Sequence, residues 1–180
     1  KYGIADHTVI IFTSDNGGLL GPTNNAPLRS GKGYAYEGGI RVPLIIKWPG
    51  VVKAGTISAE PVTSVDYLPT IAEVAGLELP KGHAIDGTSL VGHLRSGGKK
   101  ALGRDAIYWH FPHYRHNPGP YSIIRKGSWK LIHFYEGPME LYNLEKDLGE
   151  KKNLSSAMPD KVKELDARLL AHLESIGAKM

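Results

Sequence analysis

In the first half of the chain, apolar and β-branched residues gather in only two short runs, 8–12 (TVIIF) and 44–48 (LIIKW). A continuous apolar run bounded by turn residues reads as a strand buried on both faces, the habit of parallel sheets in α/β proteins. The first run stops at TSDNGG (13–18) and the second follows Pro43. Few other strand candidates in the first half can pair with either, so the pattern predicts that the remaining strands of this sheet precede the sequence. The opening KYGIADHT (1–8) is helix-like, starts on Lys1 and carries no signal-peptide pattern, which predicts that the natural N-terminus lies further upstream.

Between the two runs lies a Gly-, Asn- and Pro-rich stretch, 17–39, long enough to be functional or disordered. Residues 66–75 predict a helix with Asp66 as N-cap, Pro69 in the first turn, Gly76 as the stop and Leu68, Ile71, Ala72 and Ala75 facing inward. The polar, glycine-containing 94–104 (LRSGGKKALGR) reads as a linker and sets a boundary near Gly98, dividing the chain into 1–98 and 99–180.

Beyond it the period changes. Residues 106–110, 121–126, 128–134 and 139–143 are β-branched and aromatic runs separated by turn signals at 126–127 and 136–138, the pattern of an antiparallel meander. Residues 159–176 then place Val162, Leu165, Leu169, Leu173 and Ile176 at three- and four-residue steps, with Pro159 at the start and Gly177 at the stop. That amphipathic helix is expected to cover one face of the meander.

Composition narrows the function classes. Among 180 residues, 41% are hydrophobic and 22% charged, enough to build a core. Twenty-two Lys+Arg against 18 Asp+Glu leave +4 without a basic block, which argues against a nucleic-acid partner. No apolar run nears the ~20 residues of a membrane-spanning helix, so no membrane partner is expected. The absence of cysteine excludes disulfides, thiolate metal sites and a cysteine nucleophile.

Three stretches could carry chemistry. Asp15 and Asn16 follow the first strand, where open α/β sheets gather ligands, and a carboxylate plus an amide carbonyl suits Ca²⁺ or Mg²⁺. The same four letters, DNGG, also suit a plain turn, and the EF-hand spacing does not follow. RSGKG (29–33) flanks Lys32 with glycines so that backbone and ammonium can approach an anion, or forms a flexible solvated loop. It is neither a Walker A motif nor a dinucleotide fingerprint. YWHFPHYRH (108–116) combines histidines, aromatics and an arginine. Its prolines argue against a helical zinc site, and what remains is either a sugar-binding face or the packed end of a strand.

Taken together, VIIFTSDNGG (9–18), LRSGKG (28–33) and EGGIRVP (37–43) resemble the formylglycine-dependent sulfatases, or arylsulfatases, of the alkaline phosphatase superfamily. The resemblance continues through WPG (48–50), SVDYLPT (64–70), DGTSL (86–90), WKL (129–131) and ELYNL (140–144). It implies an alkaline-phosphatase-like α/β fold, represented by the last part of the catalytic domain and followed by a four-stranded antiparallel sheet packed by a terminal helix. It also implies a sulfuric ester hydrolase in which Ca²⁺ polarises the sulfate and a formylglycine, made from Cys or Ser in a C/S-x-P-x-R motif, supplies the nucleophile.

On this resemblance Asp15 and Asn16 match two metal ligands and Lys32 a sulfate-contacting lysine, while Glu37 and Arg41 hold their loop in shape. His110 and His113, with Tyr114 and Arg115, are expected at the substrate end of the pocket. No Ser stands two residues before any of the 12 prolines, so the nucleophile motif is absent, as are the paired N-terminal aspartates, the upstream lysine and the catalytic histidines. The chain is therefore expected to be a C-terminal fragment, inactive alone, partnered by the rest of the same protein or by self-association. A periplasmic or secreted location and a sulfated small molecule or glycan as substrate are further implications. The alternatives are a phosphonate or phosphodiester hydrolase of the same superfamily and a non-catalytic carbohydrate-binding or assembly module.

Overall fold

A computed structural model describes residues 2–116 and 118–179. The chain divides into two compact units, one made of residues up to Asp15 with Pro43–Arg104, the other of Asn16–Val42 with the residues from Asp105 onward.

In the first unit, β1 (Ile10–Thr13) pairs antiparallel with β2 (Leu44–Lys47), Ile11 opposite Ile46 and Phe12 opposite Ile45. This corrects the expectation of doubly buried parallel strands: Ile10, Phe12 and Ile45 are 50%, 59% and 63% exposed. The apolar run is a strand, but one neighbour and no covering layer on that face within the unit leave its side chains open. The opening segment forms only a 3₁₀ turn, Ala5–His7, with Lys1 outside the described residues.

Helix α2 (Tyr67–Val74) follows a 3₁₀ turn, Ser64–Asp66. Asp66 holds the N-cap position, but its side chain makes no cap hydrogen bond to α2. The fully buried carboxylate accepts the backbone N–H of Thr63 and of Thr88, both at 2.9 Å, and an Arg104 guanidinium N–H at 2.6 Å, tying three separate segments together. The buried face of α2 is Pro69, Thr70 and Ala72, whereas Leu68, Ile71 and Ala75 are exposed, contrary to the expected inner face. Thr70 turns inward because its hydroxyl donates to Asp66 O at 2.6 Å and accepts the Leu90 N–H at 2.9 Å. A short helix, α3 (Val91–Arg95), buries Val91 and His93 and ends just inside the stretch read as a linker.

The second unit contains a four-stranded antiparallel meander in the order β3 (Ile107–Phe111), β4 (Tyr121–Lys126), β5 (Trp129–Phe134) and β6 (Glu140–Asn143). Strand alternation sends Ile124, Leu131 and Leu141 to one face, where Leu165, Leu169 and Leu173 of α4 (Pro159–Ser175) cover them. Ile176 lies beyond the helix and is exposed, so the apolar stripe ends one turn earlier than its spacing suggested. The other face, Tyr121, Ile123, Ile132, Phe134, Tyr142 and Leu144, is covered by Ala35 and Tyr36. The Gly-rich stretch thus packs its 35–39 end on the sheet, where it forms a one-turn helix, α1 (Glu37–Ile40), while residues 19–24 are exposed. No helix among the described residues is long and apolar enough to cross a membrane.

Candidate active site

The Lys32 loop is built backbone on backbone. Gly17 N–H donates to Gly39 O at 3.0 Å, Lys32 N–H to Gly18 O at 3.0 Å and Gly38 N–H to Arg29 O at 2.8 Å. A Cβ on Gly17 would stand 1.7 Å from Gly38 O, one on Gly38 2.2 Å from Ser30 O, and one on Gly31 2.4 Å from Gly18 O. These glycines serve close approach, and neither Gly17 nor Gly18 takes a positive φ, so the positive-φ turn that DNGG also allowed does not form. Asn25 fills the gap between strands of the loop, accepting Gly18 N–H and donating to Gly18 O and Ser30 O.

Two charged clamps hold this loop to the meander. The Arg29 guanidinium lies 3.6 Å over the Tyr36 ring and donates to Tyr142 Oη at 2.8 Å and Glu150 O at 3.0 Å. Burial and the adjacent Glu140 push the Tyr36 hydroxyl up to about 12, so it stays a neutral donor to Glu140. Beneath α1, the fully buried Lys130 ammonium sits 3.0 Å from Glu37 and 2.7 Å from Glu150, while Glu37 N–H donates to the Glu150 carboxylate at 2.6 Å. Burial holds the Glu150 carboxyl above its ordinary value, although Lys130 pulls it down. Ser30 and Glu150 both adopt left-handed backbone, φ 59° and 50°, a strain of order 1 kcal/mol each that the surrounding contacts must offset.

What the clamps present is Lys32 itself, exposed at the tip between Gly31 and Gly33. Across the loop a Cβ on Gly33, whose φ is +90°, would stand 2.7 Å from His116 Nε2 and 2.9 Å from Arg115 Nε. The His116 ring stacks on Tyr34, 4.2 Å between centroids and 3° between planes. Arg115 and His116 therefore lie against Gly33, the residue after Lys32, and the sequence had singled out only the first of this pair. The signal that could have found His116 is its place in the same YWHFPHYRH run.

The other expected residues are placed as follows. His110, half-buried, bonds Ser122 Oγ through Nδ1 and Lys179 O through Nε2, each at 2.8 Å. His113 is exposed and edges onto the Phe111 ring at 5.0 Å. Tyr114 is exposed, and its hydroxyl donates to Glu136. Asp15 is exposed and closes the first unit's opening segment; Asn16, half-buried, opens the second unit.

A carboxylate and an amide carbonyl are oxygen donors of the kind Ca²⁺ takes, and they amount to two of the ~6–8 it requires. Among the described residues no three His, Asp or Glu side chains gather to hold a metal ion. Asp15 and Asn16 thus fit part of such a site and not the whole.

Residues 30–179 match a family model described as N-sulphoglucosamine sulphohydrolase, C-terminal. A sulfatase of Formosa agariphila is 44% identical over 167 residues, covering 87% of this chain and 30% of that protein. The N-acetylglucosamine-6-O-sulfatase of Bacteroides thetaiotaomicron is 37% identical over 162 residues, covering 86% and 27%. Among solved structures, Ps i-CgsB in complex with k-i-k-neocarrahexaose superposes with a TM-score of 0.79 at 34% identity, over 94% of this chain and 36% of that one. The chain spans about a third or less of the length of these relatives. With its clamped Lys32 loop, its meander and its terminal helix, the chain belongs to the sulfatase family and matches its N-sulphoglucosamine sulphohydrolase C-terminal model.

Proposed function

We propose that this chain is the C-terminal portion of a longer sulfatase that cleaves sulfate esters of a saccharide, and that it supplies Lys32, Asp15 and Asn16 to the sulfate-binding centre. The observation that carries the reading is an exposed ammonium on a loop whose backbone is pinned by glycine contacts and by the Lys130–Glu37–Glu150 cluster. A preorganised cation aimed at sulfate oxygens stabilises the charge that grows on them as the S–O bond breaks, and it does so without reorganising during the reaction. Asp15 and Asn16 would give oxygen ligands to Ca²⁺, which when bound polarises the sulfate. The formylglycine nucleophile would come from outside these 180 residues, since no C/S-x-P-x-R motif occurs in them. The saccharide substrate is supported by the names of two relatives, an N-acetylglucosamine-6-O-sulfatase and a neocarrahexaose complex.

The test is Lys32→Ala in the complete protein, with sulfate release followed on a sulfated monosaccharide. Loss of one preorganised donor should cost about 100- to 1,000-fold in kcat, while unfolding free energy moves by less than about 0.5 kcal/mol because the side chain is exposed. Lys32→Arg should restore only part of the rate, since a planar fork does not fill the place of a compact ammonium. Wild-type turnover in Lys32→Ala would remove Lys32 from the reaction.

A further inference from the structure

Resting on that reading, we propose that Arg115 and His116 form a second anion subsite beside Lys32, so that the preferred substrate is a saccharide carrying another anionic substituent near the sulfate to be removed. The assignment starts from Gly33. Its φ of +90° and the missing Cβ let an imidazole nitrogen and a guanidinium nitrogen lie against the backbone next to Lys32, at places a side chain would occupy. Any other residue there would push both groups away. The imidazole is held by the ring of Tyr34, which is itself packed on the core of the meander, so its nitrogen has a set direction.

Charge sharpens the point. A sulfate monoester carries one negative charge, which Lys32 already meets. The Arg115 guanidinium adds a second, exposed cation, and the Glu136 carboxylate is engaged by the hydroxyl of Tyr114, the preceding residue. No ion pair of Arg115 occurs among the described residues. A planar fork of donors beside a directed imidazole matches two oxygens of a tetrahedral or planar oxyanion, that is, a second sulfate or a carboxylate.

The experiment uses the complete protein with three saccharides: one bearing a single sulfate, one bearing two, and one bearing a sulfate and a carboxylate. The readout is the ratio of kcat/KM for each doubly charged substrate over the singly sulfated one. Arg115→Ala and His116→Ala should each lower that ratio about tenfold, the loss of one charge-assisted hydrogen bond, and Arg115→Ala should flatten the dependence of KM on ionic strength. The substrate whose ratio falls identifies the second group as sulfate or carboxylate. An equal fall on all three substrates, or no fall on any, overturns the subsite. Lys32→Ala, by contrast, should lower all three together, so failure of the sulfatase reading is seen separately. Should wild type release no sulfate at all, that reading fails and the subsite is decided by equilibrium binding of the disulfated saccharide: affinity about tenfold weaker in Arg115→Ala supports it, and unchanged affinity removes it.

Discussion

In the unit built on β3–β6, both faces of the sheet are covered by residues of this chain, α4 on one side and the Ala35–Tyr36 segment on the other, and Ile123, Ile124, Leu131, Ile132 and Leu141 are entirely buried. In the unit built on β1 and β2 the same kinds of residue stay open, Phe12 and Ile45 among them. Both regions have sequence patterns of buried strands, yet only one of them closes its core with what the 180 residues contain. The difference lies in the covering layers. Four strands with a helix and a packed loop bury both faces, whereas two strands are a marginal sheet whatever their composition. The closed unit can therefore afford an internal charge cluster that fixes the Lys32 loop.

The largest effect expected from this contrast is in that cluster. Lys130→Met leaves Glu37 and Glu150 buried without their cation and should cost about 3–5 kcal/mol, read as an earlier urea transition of the second unit. A loss below about 1 kcal/mol, the range of surface pairs, would show that the closed core does not depend on its charges. The same cluster fixes a sign in pH. Because the folded Glu150 carboxyl titrates above its unfolded value, it favours folding fully below the ordinary 4.5 and loses that contribution as pH rises through the folded value. Glu150→Gln should flatten the stability profile above pH 4.5, and an unchanged slope there would remove the assignment.

A smaller loss is expected at the loop itself. Gly38→Ala drives a methyl into Ser30 O and Arg29 O, both backbone atoms, and should cost about 1–3 kcal/mol as overpacking. Activity of the complete protein should fall more steeply than stability, because the displaced atoms lead directly to Lys32. Equal stability of Gly38→Ala and wild type would show that the loop has room the contacts deny it.

The smallest effect tests the open side. Phe12→Ala should change the stability of this chain by less than about 1 kcal/mol, since the ring is already in water, while Ile132→Ala in the closed core should cost about 2–5 kcal/mol. Similar losses at both positions would erase the distinction between the two regions. A much larger Phe12→Ala penalty in the complete protein than in this chain would sharpen it, by showing that further sequence covers these strands.

Much of the second unit was readable in advance. The meander and terminal helix came within a residue or two because their signals are local: alternation, turn residues at 126–127 and 136–138, proline at a helix start and glycine at its stop. The strings around Lys32 and Asp15-Asn16 carried the resemblance to the sulfatases, the family to which the chain belongs. Errors arose where burial was inferred from a run alone. TVIIF looks the same whether or not a layer lies over it, and Leu68 and Ile71 look like an inner helix face until Asp66 and Thr70 take that side.

By itself, then, the sequence determined the meander strands and the terminal helix, where they stop, and which family the strings belong to, since periodicity and caps act between residues a few positions apart. Only the tertiary structure decided that Glu37 meets Lys130 and Glu150, that Gly17 is a glycine because Gly38 lies on it, and that His116 stacks on Tyr34 against Gly33. Those pairings join residues from 21 to 113 positions apart. They depend on which surfaces bury one another, a choice made by the whole chain's packing, for which no spacing within a short window carries a signal.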